Sequence, residues 1–123
     1  MSKAVSSPTE APTFENEAKF QAAVVELALH NYWMSYHTHD SRRSDAGFPD
    51  LVLVNADLSV VLFRELKMPG KLPSKAQLCW LTVLHNVGMD AKTWWPIDWP
   101  EIERTLTAPR VPYGQQREGL DAR

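Results

Sequence analysis

The sequence predicts an α/β fold, in which one mixed sheet is flanked by helices in the order α-β-β-β-α-β-α. Residues 14–31 carry apolar side chains at helical spacing. Residues 51–54 and 60–63 form two continuous apolar runs separated by turn residues, and residues 74–88 begin with a helix-capping pattern. With 123 residues, of which 44% are hydrophobic, the chain fits one small domain with a single core.

The first half of the chain predicts one helix and three strands. The helix has an amphipathic pattern, and a short strand is expected at residues 33–37, followed by a polar loop at 38–48. The apolar runs 51–54 and 60–63 are typical of strands covered on both faces. Residues 55–59 supply turn formers between them, which predicts a hairpin. The apolar face of the helix comprises Phe20, Ala23, Val24, Leu27 and Ala28.

The second half predicts a helix, a strand and a short closing helix. Ser74 stands three residues before Gln77, the spacing of a capping box, and Gly88 is suited to end the helix. Its predicted apolar face comprises Leu78, Leu81 and Leu84. Residues 91–95 predict the last strand. Asp98 and Glu101 form a second cap-like pair that opens a helix to about residue 106. The domain is thus expected at 13–107, between a flexible arm at 1–12 and a tail at 108–123.

Composition and charge exclude several classes of protein. The single cysteine, Cys79, cannot form an internal disulfide, and no apolar run approaches the roughly 18 residues of a membrane helix. The N-terminus lacks the apolar stretch of a secretory signal, so a cytoplasmic protein without a membrane span is expected. The net charge of −2 argues mildly against a nucleic-acid binder. Seven basic residues lie between positions 37 and 92, however. If a metal ion neutralised two of the acids in that segment, the segment would present a locally basic face.

The predicted hairpin brings charged groups together at one end of the sheet. If Val54 pairs with Val61, Asp50 lies opposite Glu65, and Lys67 projects from the same face. Two carboxylates about 4.5–5.5 Å apart at Cβ repel unless a cation lies between them or one binds a proton. Hard oxygen ligands suit Mg²⁺ or Mn²⁺, which can activate water for phosphodiester hydrolysis. The alternative is that both acids only flank the strands and pair with Lys67.

The segments Gly47-Phe48-Pro49-Asp50 and Glu65-Leu66-Lys67 resemble the Pro-Asp…(Asp/Glu)-x-Lys signature of restriction-endonuclease-like nucleases. Residues 17–106 more narrowly resemble the VRR-NUC (virus-type replication-repair nuclease) domain. Further matching parts are 17–21, 77–81, Gly88 and 95–98.

The resemblance implies roles for individual residues. Asp50, Glu65 and the backbone carbonyl of Leu66 would bind the Mg²⁺ or Mn²⁺ ion, and Lys67 would be the catalytic lysine. Glu17 would complete the site from the first helix, directly or through water, with Glu15 as its alternative. Gln77 would face the site from the second helix, although it could instead only cap that helix.

The resemblance also implies an activity. We expect a metal-dependent, structure-selective DNA endonuclease of phage or bacterial type, acting as a homodimer on branched DNA such as a four-way (Holliday) junction in repair or recombination. The alternatives are a non-catalytic DNA-binding or scaffold subunit of the same fold, and a general DNA or RNA nuclease.

Several weaker candidates remain. His37 and His39 lack a third zinc ligand at suitable spacing, so they indicate DNA contact or structural bonding rather than zinc. The other candidate DNA contacts are Arg42, Arg43, Lys71 and Lys75. Packing is favoured over base stacking for Trp94, Trp95 and Trp99, and inert packing over nucleophilic chemistry for Cys79.

Overall fold

The computed structural model describes residues 11–38 and 46–109. Its elements follow the predicted order, with one added 3₁₀ turn at Pro96–Asp98. The helices and strands are α1 (Glu17–His30), β1 (Met34–His37), β2 (Leu51–Asn55), β3 (Val60–Leu66), α2 (Lys75–Asn86), β4 (Asp90–Trp94) and α3 (Trp99–Leu106). The expectations for residues 1–10, for the loop at 39–45 and for the tail at 110–123 lie outside the described residues.

The four strands form one mixed sheet in the order β1-β2-β3-β4. β1 pairs antiparallel with β2, and β2 pairs antiparallel with β3, whereas β3 and β4 run parallel and are joined through α2. The β2–β3 hairpin pairs Val54 with Val61, which confirms the predicted register. A crossover helix is the usual way to connect neighbouring parallel strands, and it places the start of α2 beside the end of β3.

The hydrophobic core lies on the sheet face that packs against α1 and α3. Alternate residues of β2 and β3 point to that face, where they meet the buried stripe of α1. The indole of Trp33 donates to the Leu106 carbonyl at 3.0 Å and ties the end of α3 to the start of β1. The core comprises Phe20, Val24, Ala28, Trp33, Leu51, Leu53, Leu62, Leu66, Trp94, Ile102 and Leu106.

The helix ends are set by local capping groups. Asn16 caps α1 by accepting from the Lys19 N–H at 2.9 Å, so the helix begins at Glu17 rather than near position 14. The predicted capping box of Ser74 and Gln77 is confirmed at the start of α2. Gly88, at φ +93°, follows the end of α2, as the sequence predicted.

Three expectations about burial and capping are wrong. The strands are not covered on both faces, since Val54 is 41% exposed on the side away from the core. In α2, Leu81 is buried but Leu78 is 50% exposed, because the helix contacts mainly β4 through a narrow stripe. The Asp98 side chain does not cap α3; it accepts from the Trp95 N–H at 2.8 Å, while Glu101 binds Lys92 and Trp94.

The described helices are all too short or too polar to cross a membrane.

Candidate active site

Asp50 stands just before β2, where the hairpin register carries it opposite Glu65. The last paired residues are Leu51 and Arg64, so the next position on each strand brings Asp50 and Glu65 together. The Leu66 N–H donates to Asp50 Oδ2 at 2.9 Å and holds that carboxylate across the end of β3. The predicted convergence of these two acids is therefore confirmed by the described structure.

Glu65 is a buried carboxylate, with only 1% of its surface exposed. Its side chain lies on the sheet face that meets α2, where Gln77 Nε2 donates to Glu65 Oε2 at 2.8 Å. Lys67 Nζ lies 3.7 Å from the same oxygen. The other oxygen, Oε1, is buried and has no hydrogen-bond donor among the described residues. A buried acceptor without a donor is unusual and marks a place where a proton, a water or a cation belongs.

The pKa of Glu65 is raised to about 8. Burial is the largest cause, followed by the negative charge of the neighbouring Asp50. Lys67 opposes the rise, and Glu17 adds to it more weakly. The site thus favours a bound positive charge, either a proton or a cation, between the two acids.

Glu17 is the first residue of α1 and lies within electrostatic reach of the hairpin acids. Its pKa is raised, first by burial and then by the charge of Asp50, while Lys67 acts in the opposite direction. The structure therefore places Glu17 near Asp50 and Lys67, as predicted. Glu15, its alternative, lies before the helix, and both residues are exposed.

The donor set fits a hard divalent cation. Asp50 and Glu65 supply carboxylate oxygens, and the buried Glu65 Oε1 offers an acceptor that the described residues leave without a donor. In the described part of the chain, no group of three or more His, Cys, Asp or Glu side chains is arranged to hold a metal ion. The predicted further ligands are the Leu66 carbonyl and Glu17 through water, and these roles stay predictions.

Gln77 both caps α2 and faces the site, the two roles that the sequence left open. It forms part of the capping box of α2, and its amide also reaches Glu65. The hydrogen bond from the Ser74 N–H to Gln77 Oε1 is part of the capping box that the sequence predicted, and it orients that amide.

The turn before Asp50 is packed tightly against α2. Gly47 has φ +88°, and a Cβ atom there would lie 2.5 Å from the backbone carbon of Ala76. Phe48 then packs edge-on against Trp80, with ring centroids 5.0 Å apart. Gly47 and Phe48 therefore hold in place the segment that carries Asp50.

Trp94 and Trp99 pack in the core or against it. Trp94 is fully buried beneath the guanidinium of Arg64, and Trp99 packs on Phe14. Trp95 donates from its indole to the Lys71 carbonyl at 2.8 Å, tying the loop after Lys67 to the segment that follows β4. Cys79 is exposed, so the expectation that it serves as a packing residue is wrong.

The predicted basic face is smaller than the count of seven basic residues in the sequence suggested. Arg64 is 2% exposed and pairs with Asp90 at 2.9 Å, and Lys92 pairs with Glu101 at 2.7 Å. Lys71 and Lys75 are exposed, as a DNA contact requires. His37 lies at the end of β1 beside Leu51, and His39, Arg42 and Arg43 fall outside the described residues.

The sheet order, the flanking helices and the position of the acids define a restriction-endonuclease-like fold. A family model described as the VRR-NUC domain matches residues 7–94. The chain therefore belongs to the VRR-NUC nuclease family.

Several solved structures are similar to this chain. One titled "VRR_NUC domain" superposes with a TM-score of 0.58 at 20% identity, covering 69% of this chain and 89% of that one. The Holliday junction resolvase Hjc of Archaeoglobus fulgidus gives a TM-score of 0.44 at 24% identity, covering 61% of this chain and 62% of that one. No curated protein matches this chain significantly.

Proposed function

We propose that this chain is an endonuclease that hydrolyses phosphodiester bonds in branched DNA with Mg²⁺ or Mn²⁺ as its cofactor. The observation that carries the proposal is the buried Glu65 carboxylate, which is held against Asp50 and Lys67 with Oε1 left for a cation. Membership of the VRR-NUC family supports the same chemistry.

Each residue of the site has a task in this proposal. Asp50, Glu65 and the Leu66 carbonyl hold the divalent ion, and Glu17 contributes through a water. The ion, when bound, polarises the phosphate and lowers the pKa of the attacking water. Lys67, whose side chain is only 19% exposed, orients that water and offsets the negative charge that develops on the phosphate. Gln77 keeps the Glu65 carboxylate in place.

We further propose that the substrate is branched DNA, with the four-way junction as the preferred form. Nothing in the sequence resembles a base-reading module, so DNA shape and phosphate contacts would select the target. Lys71 and Lys75 lie on and just after the loop that follows Lys67, where they would contact phosphates beside the site. His37, His39, Arg42 and Arg43 are proposed as further contacts.

A homodimer is part of the proposal, because two sites related by symmetry can cut two strands of a junction. Its support is a row of exposed apolar side chains on the sheet face away from α1. Met34 is 74% exposed, Tyr36 62% and Val54 41%, and Met34 pairs directly with Val54. Such a cluster is typical of a protein interface. Light scattering should give twice the monomer mass at tens of micromolar, and a monomer mass with and without DNA would contradict the dimer.

The test of the proposed function compares substrates of one sequence. A four-way junction, a flap, a linear duplex and the matching RNA are incubated with Mg²⁺, with Mn²⁺ or with EDTA, and the Lys67→Ala variant is the control. We expect cleavage only with a divalent ion, fastest on the junction and slower at high salt. Equal rates on all DNA forms would leave a general nuclease. Binding without cleavage would indicate the scaffold, and faster cutting of RNA would indicate an RNA nuclease.

A further inference from the structure

We propose that the backbone N–H of Ser74 is a positioning group for the active site. It fixes the amide of Gln77 so that one oxygen of Glu65 is occupied by donors while the other is presented to the divalent cation. This inference rests on the proposed metal-dependent function and goes beyond it, because it assigns different tasks to the two oxygens of Glu65.

The orientation of the Gln77 amide follows from the chemistry of its neighbours. Ser74 N lies 2.7 Å from Gln77 Oε1, and a backbone N–H can only donate, so the amide oxygen must face Ser74. The amide nitrogen therefore points the other way, where it lies 2.8 Å from Glu65 Oε2. The Ser74 hydroxyl completes the capping box separately, accepting from the Gln77 backbone N–H at 3.2 Å.

The two oxygens of Glu65 then differ in their surroundings. Oε2 accepts from Gln77 and has Lys67 Nζ at 3.7 Å, whereas Oε1 is buried and receives no hydrogen bond from the described residues. Groups that hold metal ligands in position typically change metal affinity by about 10–100-fold when they are removed. A helix cap thus also supports the metal site, and the Ser74 N–H acts on the cation through Gln77 and Glu65.

Two substitutions at position 74 separate the N–H from the hydroxyl. Ser74→Ala removes the hydroxyl and keeps the N–H that binds Gln77. Ser74→Pro removes both, and the φ of −71° at this position is close to the value that proline imposes. The two variants share the loss of the hydroxyl, so the difference between them reports on the N–H. Circular dichroism and thermal melting verify that each variant is folded.

The readout is the binding of Mn²⁺ alone, measured by titration calorimetry without DNA. We expect Ser74→Ala to bind Mn²⁺ within about twofold of the unmodified chain, and Ser74→Pro to bind at least about fivefold more weakly, as the loss of one oriented hydrogen bond predicts. Equal Kd values for the two variants would overturn the inference and leave the metal site standing. Failure of the unmodified chain to bind Mn²⁺ would overturn the proposed metal site together with this inference.

A second measurement applies if Ser74→Pro does not fold. The side-chain NH₂ of Gln77, assigned by its loss in Gln77→Met, should show slow hydrogen exchange in the unmodified chain and in Ser74→Ala. Exchange as fast as in free glutamine would mean that the amide is not held, and this would refute the positioning role of Ser74.

Discussion

Replacing Glu65 by glutamine is expected to stabilise the metal-free protein while removing its cleavage activity. Glutamine has nearly the same shape, so its side-chain oxygen still accepts from Gln77 Nε2, and its NH₂ group takes the place of Oε1. The variant replaces a carboxyl group that must bind a proton to be buried next to Asp50, and it also removes a proposed metal ligand. Stability and activity should therefore change in opposite directions.

The size of the stabilisation follows from the pKa of Glu65, which is about 8 in the folded protein against an ordinary 4.5. Between these values the folded state holds a proton that the unfolded state has lost, so the free energy of unfolding falls as the pH rises. The free energy of unfolding falls by about 1.4 kcal/mol for each pH unit in that range. The stabilisation by Glu65→Gln is therefore at most about 3 kcal/mol at pH 7. The expected stabilisation is smaller, about 1–2 kcal/mol. The protein relaxes around the two acids, and this relaxation lowers the cost that a rigid site would impose on an ionised Glu65.

Thermal melting in EDTA at several pH values measures this effect. At pH 7, Glu65→Gln should raise Tm by at least about 4 °C, since 1 kcal/mol shifts the Tm of a domain this size by about 4–8 °C. The gain should shrink as the pH falls to 4.5 and below, where Glu65 becomes largely protonated in the unfolded state as well as in the folded state. Adding Mn²⁺ should raise the Tm of the unmodified chain but not that of the variant.

The matched control is Glu103→Gln, at an exposed position on α3, for which Tm should stay within about 1 °C at pH 7. A Glu65→Gln variant that melts at or below the unmodified chain at pH 7, or a gain that does not grow with pH, would refute the argument from burial and repulsion.

Further predictions concern catalysis and the turn before Asp50. Asp50→Asn and Lys67→Ala should each lower the cleavage rate at least about 100-fold with an unchanged circular dichroism spectrum; robust cleavage by either would overturn the site assignment. Gly47→Ala should cost at least about 2 kcal/mol in urea unfolding, because its Cβ would lie 2.5 Å from the backbone of Ala76 at φ +88°. Gly88→Ala, at φ +93° with open space around it, is the control and should cost only about 1 kcal/mol; equal costs would mean that the turn does not pack as described.

The hairpin shows how much of the site could be derived from the sequence. The turn residues between the two apolar runs predicted the pairing of Val54 with Val61, and that register alone placed Asp50 opposite Glu65. The prediction succeeded because a short loop leaves few alternative registers. The capping box at Ser74 and the end of α2 near Gly88 were predictable for the same reason, since each depends on residues within one or two turns.

Expectations that depended on packing were less successful. Leu78 looked like a core residue from its spacing, yet it is half exposed, because the contact of α2 with the sheet is narrow. Glu101 looked like part of a helix cap, yet Lys92 and Trp94 bind it from β4. Arg64 was counted with the surface charges, yet it is buried over Trp94 and paired with Asp90.

The sequence by itself determined the order of elements, the hairpin register and the meeting of Asp50, Glu65 and Lys67, because these follow from contacts between residues close in the chain. Only the tertiary structure decided that Glu65 is buried, that Gln77 holds one of its oxygens and that the other receives no donor from the described residues. Those properties require α2 to lie against the end of β3. Its position depends on the packing of the whole sheet, which no local pattern encodes.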